Sequence, residues 1–400
     1  TPAPQYRIVP GVRRIMSIGE RCRLNIQSVA FGGSGVGRAG GLVIFVPFTA
    51  AGDIADIEIV ERRKNFARGR LLGIVAPSPQ RAEPLCRCFG RCGGCSYQHI
   101  AYHHQLNIKQ AQVREAFVKI GKLPDPPVEK VIASPRAYAY RGKAELHAAK
   151  SREGFRLGFM DITGGKLVDI ERCEIMHESI NRQIIEARSR GRFESDGGDL
   201  IFWANPSSRA GDAIVRTVKD REFLIPLSGF FQTNLYLTDA MVDEVRRLAG
   251  LEKRASILDA CCGSGLFSIF LAQSAERLTG VEIHEKSVQC ARENAERNGI
   301  RNAEFICADI GEHLNRMAER LDAVDLIVLD PPRAGLDSKA LNAICGIKCR
   351  DIIYVSCNPA TQARDVKYLT ANGYVLQSLQ PLDMFSQTEH VETVGLLRRK

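Results

Sequence analysis

A cysteine near the carboxyl-terminal end of the 400-residue sequence, Cys357 in Tyr354-Val355-Ser356-Cys357-Asn358-Pro359, is its sharpest chemical feature. Carbon 5 of a pyrimidine is a poor nucleophile. A thiolate that adds to carbon 6 turns carbon 5 into an enolate carbon able to attack a methyl sulfonium. A base must then remove the C5 proton so that β-elimination releases the cysteine. Taken alone, Cys357 reads more readily as a buried structural thiol. Asp330, in Leu329-Asp330-Pro331-Pro332-Arg333, and Glu392, in His390-Val391-Glu392, add the acidic groups such a cycle needs and tip the reading towards a nucleophile. Methyl transfer to exocyclic amines uses a similar acidic Pro-Pro motif, but with an aromatic residue next to stack the base. Arg333 stands in that place here.

A second group points to the methyl donor. Ile257-Leu258-Asp259-Ala260-Cys261-Cys262-Gly263-Ser264-Gly265 reads as a strand, a Gly-rich turn and a helix start. G-x-G alone is shared by dinucleotide and S-adenosylmethionine sites. The acidic residue at the strand end discriminates, together with Glu282 at the end of the next strand, where a carboxylate can accept both ribose hydroxyls. Asp309, after the third strand, is placed to reach an adenine amino group. The missing third Gly disfavours a pyrophosphate, which needs close backbone approach. This three-point pattern resembles class I methyltransferases; a dinucleotide enzyme is the alternative.

The elements that position these residues follow from periodicity. From Asn234 onward, strand-like runs at 256–259, 278–283, 303–308, 324–330, 352–357, 374–380 and 393–397 alternate with helical patterns. That alternation implies an α/β fold with a doubly wound, mostly parallel sheet. The amino-terminal segment reads as short strands at 21–29, 41–46 and 53–60 joined by Gly-rich turns, a small β-barrel. Phe31-Gly32-Gly33-Ser34-Gly35-Val36-Gly37 looks like a phosphate loop, but no helix follows and no Lys-Ser/Thr closes it, so it is expected to be a barrel turn. Between them, 99–121 is expected to be a helix, and 123–229 is strand-rich with one helix near 177–189.

The run from Arg62 to Arg70 carries five cations with Phe66 among them, a pattern that suits phosphate contact and base stacking; a solvated barrel face is the plainer reading. The formal charge of +9 leans the same way, towards polyanions. Hydrophobic residues at 44% and charged residues at 25% are ordinary for a globular chain, and no apolar run reaches the ~18 residues of a spanning helix. Residues 1–13 have no apolar core of a signal peptide, and the absence of an initiator Met leaves the true start open. A cytoplasmic protein is expected.

Taken together, these motifs resemble the RNA uracil-5 methyltransferases, in the branch with an N-terminal TRAM barrel and an iron–sulfur cluster. The likeness rests on the Gly-rich barrel, Cys86-x5-Cys92-x2-Cys95 with a distant Cys173, Gly229-Phe230-Phe231-Gln232-Thr233-Asn234, the Asp330 and Cys357 motifs, and Asp383-Met384-Phe385 through Glu392. The resemblance implies a seven-stranded methyltransferase sheet, an OB-like TRAM barrel and an α+β central domain carrying the cluster. Domains are expected at 1–78, at 79–98 with 122–229, and at 99–121 with 230–400. It implies Cys357 as nucleophile, Glu392 as base, and Asp330 and Gln232 between donor and uracil. S-adenosylmethionine would be held by Gln232, Asp259, Cys261, Gly263, Gly265, Glu282, Asp309 and Asp330. Ser386, Cys261 and Leu266 depart from the residues usual in the family.

Four of the thirteen cysteines fall between Cys86 and Cys95, and without a secretory signal such clustering points to metal. Cys86, Cys92, Cys95 and Cys173 would give the four thiolates of a [4Fe–4S] cluster or a zinc site. Cys88-x3-Cys92-x2-Cys95 instead spells the pattern of radical S-adenosylmethionine enzymes, but Gly94 stands where an aromatic is usual and no βα-barrel pattern follows. In the four-iron reading Cys88 is a bystander. The expected activity is methyl transfer to C5 of a uridine in structured RNA, with 23S rRNA favoured over tRNA. Nothing demands more than a monomer, and no membrane partner is expected. A catalytically idle RNA-binding or ribosome-assembly factor is the alternative of a different class.

Overall fold

The computed structural model describes residues 16–151, 154–190, 197–204, 209–210, 212–250, 252–320, 324–347 and 349–400. The segment read for a signal peptide, residues 1–13, lies outside them. Five strands close into a barrel in the order β1-β2-β3-β5-β4: β1 (Arg21–Val29), β2 (Ser34–Ala39), β3 (Leu42–Pro47), β4 (Ile54–Arg62) and β5 (Phe66–Ala76). Alternation along them buries Leu24, Ile26, Ile44, Val46, Ile57 and Ile59 in one core.

The Gly-rich segment is only partly the turn expected of it, because from Ser34 it runs as β2. A Cβ at Gly35 would stand 2.0 Å from Thr49 Oγ1, and one at Gly37 would stand 2.6 Å from the Asn25 carbonyl. These glycines let strands approach inside the barrel. The basic run is also less free than its composition implied. Arg63 and Arg68 both face Glu61, and Arg70 faces Glu58.

After the barrel come α1 (Tyr102–Lys119) and a sheet of order β8-β7-β6-β9, built from β6 (Lys143–Ser151), β7 (Gly154–Met160), β8 (Leu167–Asp169) and β9 (Gly197–Trp203). Helix α2 (Glu178–Arg190) packs Ile180 and Ile184 against Leu146 and Leu157 of that sheet. A three-stranded sheet follows: β10 (Arg209–Ala210), β11 (Ala213–Val218) and β12 (Arg221–Pro226).

The rest of the chain forms seven strands in the order β15-β14-β13-β16-β17-β19-β18. They are β13 (Arg254–Ala260), β14 (Ala275–Glu282), β15 (Ala303–Cys307), β16 (Leu326–Leu329), β17 (Asp351–Ser356), β18 (Tyr374–Leu382) and β19 (Glu392–Arg399). Pairing is parallel as far as β17, and β19 runs antiparallel to both of its neighbours. One face is covered by α3 (Thr238–Ala249), α4 (Leu266–Leu271) and α5 (Glu285–Arg297). The other carries α6 (Ile310–Arg320), α7 (Ser338–Ile347) and α8 (Pro359–Ala371).

Helix α1 joins that second face, with Val113 and Phe117 buried among Val366, Leu369 and Leu379, although it precedes the sheet by more than a hundred residues. Because β14 and β15 extend one way from β13 while β16 and β17 extend the other, a crevice opens at the carboxyl ends of β13 and β16.

Candidate active site

The candidate residues gather at that crevice because each ends a strand. Leu329 pairs with Tyr354 and Ala260 with Leu329, so Asp330 steps off β16 between its neighbours, its amide donating to the Ala260 carbonyl at 3.3 Å. Cys357 steps off β17. Glu392 arrives from the opposite direction: only an antiparallel strand can bring its first residue to the carboxyl edge of a parallel sheet. Ser356 pairs with Thr393, and Thr393 Oγ1 locks this register by donating to the Ser356 carbonyl at 3.1 Å.

The turn after β17 has a division of labour. The Asn358 side chain caps α8 by accepting from the Ala360 amide at 3.1 Å, with Pro359 at the first helical position. Asn358 Nδ2 and Thr361 Oγ1 also donate to the Arg333 carbonyl, both at 3.1 Å. The capping side chain therefore ties the Asp330–Arg333 segment to the Cys357 turn.

Burial, and next the Glu392 carboxyl, pushes the Cys357 thiol up to about 11; Arg333, which hydrogen-bonds the sulfur, pulls the other way. Burial raises Glu392 well above the usual carboxylate range, Asp330 adding to the rise and Arg333 opposing it. Asp330 is likewise raised by burial, then by Asp259 and Glu282. Arg333 is the cation that opposes the rise at both Cys357 and Glu392 and so limits the cost of their ionised forms. Sequence reasoning had counted Arg333 only against amine chemistry. Its place in the Asp330-Pro331-Pro332-Arg333 motif was the available signal.

The Gly-rich turn is shaped by φ values of 64° at Cys261, 55° at Gly263 and 84° at Gly265. Glu282 braces it, accepting from the Gly263 amide at 3.1 Å and the His284 amide at 2.9 Å. Asp259 is fully buried beneath; one oxygen accepts from Ser268 Oγ at 2.5 Å, and the other has no hydrogen-bond partner among the described residues. Asp309 caps α6 through the Glu312 amide at 3.0 Å. An acidic wall of Asp259, Glu282 and Asp330 favours a cation such as a sulfonium and opposes a dianionic pyrophosphate.

Gln232 forms a different wall. It is buried, its Oε1 has no hydrogen-bond partner among the described residues, and it lines a cavity with Arg216 and Thr238.

A network that spacing gave no hint of fixes the loop before Glu392. The Lys109 ammonium on α1, fully buried, donates to Asp383 at 2.5 Å and to the Phe385 carbonyl at 3.0 Å. Asp383 also accepts from Tyr102 Oη and Ser386 Oγ, both at 2.6 Å. Ser386, which departs from the family's usual residue, is thus a working member of this network.

Away from the crevice, Cys86, Cys88, Cys92, Cys95 and Cys173 line one small cavity, partly open to solvent. Soft thiol donors converging from two distant stretches of chain suit iron or zinc. Among the described residues, no set of three or more His, Cys, Asp or Glu is gathered closely enough to hold a metal ion. Cys88 is not set apart from the other four; Arg91 contacts its sulfur at 3.8 Å.

Known proteins fit this geometry. A family described as tRNA (Uracil-5-)-methyltransferase matches residues 214–400, and the TRAM domain matches residues 17–72. A relative from Halalkalibacterium halodurans, described as an uncharacterized RNA methyltransferase, is 30% identical over 94% of this chain and 96% of its own. One from Bacillus cereus with the same description is 32% identical over 93% and 95%. Among solved structures, the S-adenosyl-L-homocysteine complex of Pyrococcus abyssi tRNA (uracil-54, C5)-methyltransferase is similar with a TM-score of 0.69. It shares 27% identity and covers 94% of this chain and 100% of that one. With a TRAM barrel ahead of a matching catalytic domain, the chain belongs to this RNA methyltransferase family, of the (uracil-5-)-methyltransferase type.

Proposed function

We propose that the protein transfers a methyl group from S-adenosylmethionine to carbon 5 of a uridine in RNA through a covalent Cys357 adduct. The observation that carries this is the meeting of Cys357, Glu392, Asp330 and Arg333 at one sheet edge. Cys357 Sγ bonds to C6 and the C5–C6 electron pair shifts towards the C4 carbonyl. C5 then takes the methyl group as the donor's methyl–sulfur bond breaks. Glu392 accepts the C5 proton, the C6–Sγ bond breaks, and the thiolate is returned. A carboxylate whose pKa is raised by burial holds that proton more firmly than an exposed one. The flat base must leave its stack to present C5 and C6 together.

The donor is assigned to Asp259, Cys261, Gly263, Gly265, Glu282 and Asp309, with Gln232 and Asp330 flanking the uracil. The acidic wall and the homocysteine complex of the Pyrococcus relative support this. The domain division at 1–78, 79–98 with 122–229, and 99–121 with 230–400 belongs to the same proposal, as do a monomeric state and a cytoplasmic location. Among the described residues no helix is long and apolar enough to cross a membrane.

A [4Fe–4S] cluster on Cys86, Cys92, Cys95 and Cys173 would cross-link the 86–95 loop to the central sheet, without taking part in methyl transfer. One zinc ion would draw four sulfurs to about 3.8 Å of each other. Thiolates on the four irons of a cluster stand farther apart, and the support for the cluster is that the four cysteines line one cavity. For the RNA, the barrel combined with this cavity favours 23S rRNA. A tRNA is the second reading, favoured by the similarity to an enzyme named for tRNA uracil-54.

The test incubates anaerobically purified protein and methyl-labelled S-adenosylmethionine with 23S rRNA and tRNA transcripts carrying 5-fluorouridine. Fluorine cannot leave as a proton, so a labelled covalent complex is expected on one of them. Donor binding without any adduct on either RNA would sink the covalent uracil reading.

A further inference from the structure

The central part of the chain carries a cationic surface that methyl transfer itself does not use. His177 is pushed below its ordinary pKa by burial and then by three surrounding guanidiniums, Arg216, Arg136 and Arg182, with only Glu178 opposing them. Lys143 and Arg216 both lie over the Trp203 ring, at 4.9 and 5.7 Å from its centroid, and Arg136 lies over Tyr236 at 4.4 Å. Among the described residues, none of Arg136, Lys143, Arg182 and Arg216 forms an ion pair with a carboxylate, whereas three of the five barrel cations, Arg63, Arg68 and Arg70, face Glu61 or Glu58. Like charges held together over aromatic faces, with Glu178 and Glu145 the acids that act on the cluster, are stabilised when a polyanion completes the arrangement.

The surface is built, and it adjoins the candidate site. Arg216 Nη2 donates to the Gly142 carbonyl at 2.8 Å, and a Cβ at residue 142 would stand 2.4 Å from that nitrogen, so Gly142 makes room for the guanidinium. The Gly142 amide donates to the Thr233 carbonyl at 2.6 Å, next to Gln232. The loop carrying Arg136 is fastened to the same stretch, since Asn234 Nδ2 donates to Ser134 Oγ at 3.0 Å. Lys143 Nζ donates to the Gly229 carbonyl at 2.7 Å, beside Phe230, a residue that is 66% exposed.

We propose that Arg136, Lys143, Arg182 and Arg216 form a cradle for the phosphates of the RNA strand flanking the nucleotide that enters the crevice, with Phe230 available for base stacking. This rests on the RNA reading above and assigns the principal backbone contact to the central surface instead of the barrel's basic run. Exposed Arg136 and Arg182 are the members that can be changed without disturbing the packed ones.

The test follows anisotropy of a fluorescent oligouridylate over a range of KCl concentrations with the full chain. Each cation lost from a phosphate contact lowers the steepness of the salt dependence by about 0.7 for a single strand. The Arg136→Gln/Arg182→Gln pair should therefore lose about 1.4 in slope, while S-adenosylhomocysteine affinity stays at the wild-type value. Arg136→Lys/Arg182→Lys should keep the slope, because charge and not guanidinium shape is what counterions report. An unchanged slope in the Gln pair overturns the cradle, as does equal loss in the Lys pair. Loss in Arg63→Gln/Arg68→Gln with none in the Arg136 and Arg182 pair moves the backbone contact to the barrel and overturns it too. Wild type that binds neither oligouridylate nor the rRNA and tRNA transcripts fails the RNA reading itself, an outcome distinct from failure of the cradle alone.

Discussion

Ser356 stands opposite Thr393 across the antiparallel β17–β19 pair, and this one register places Cys357 beside Glu392. The two residues lie on strands that run in opposite directions, so neither helix rotation nor loop motion is needed to bring the proposed nucleophile and the proposed base together. The roles can be separated by experiment. Cys357→Ala should abolish methylation and 5-fluorouridine trapping while donor affinity stays close to wild type. Glu392→Gln should let an adduct with ordinary uridine RNA accumulate, since the C5 proton then has no acceptor. Appreciable turnover in the first variant, or no more adduct than wild type in the second, contradicts the assignment.

Arg333 is the cation that opposes the upward push of burial on both Cys357 and Glu392. Removing it raises both groups further, so less thiolate exists at neutral pH and the gain on making the solution alkaline is larger. Arg333→Gln should therefore show a pH profile of adduct formation displaced to higher pH, with the rate partly regained in alkali. Single-turnover trapping from the neutral to the alkaline range reads this directly. A uniform loss at every pH would instead mean that Arg333 acts on binding.

The strand ends were legible in the sequence because apolar runs stop at polar residues there: Asp259, Glu282, Asp330 and Cys357 each close such a run. What the sequence hid is non-local. Lys109 reads as an ordinary polar position of α1, and nothing in helical spacing announces a partner at Asp383. Periodicity reports which face of an element is buried, not what lies across from it. Gly35 and Gly37, expected in a barrel turn, lie instead on β2, since a glycine that admits a neighbouring strand has the same local signature as one in a turn.

Asp259 is raised to about 7, chiefly by burial, above its unfolded value near 3.8. For an acid raised in the folded state, the native protein binds the proton more tightly, so stability is greatest below the unfolded value. It falls as pH rises towards 7 and stays lower beyond. Asp259→Asn removes this loss. The donor-free variant should be more stable than wild type above neutrality by on the order of a few kcal/mol, with little difference in acid, and should bind the donor more weakly. Denaturation curves at acid and mildly alkaline pH measure the difference. A variant less stable than wild type under both conditions would show that Asp259 is ionised and satisfied in the fold.

Lys109 and Asp383 are both fully buried, so removing one leaves the other without its counter-charge. Lys109→Met is expected to cost about 3–5 kcal/mol in denaturant unfolding. Adding Asp383→Asn should recover part of that, because a neutral amide needs no cation and can still bond Tyr102 and Ser386. Additive losses in the double variant would show that the pair contributes no coupling.

The five cysteines around one cavity make ligand choice a question of which can be spared. Cys173 is the only one outside the 86–95 loop, so a cluster on Cys86, Cys92, Cys95 and Cys173 cannot close without it. Cys88 lines the same cavity, with Arg91 contacting its sulfur, and is the bystander in this ligand set. Protein purified without oxygen should therefore lose its iron and its visible absorption in Cys173→Ser, whereas Cys88→Ser should keep both. The reverse pattern would place the iron on Cys88, Cys92 and Cys95 and leave one iron open to a ligand. Zinc in place of iron in the wild type would mean that the sulfurs can close to single-ion spacing, against the wider separation expected of a cluster.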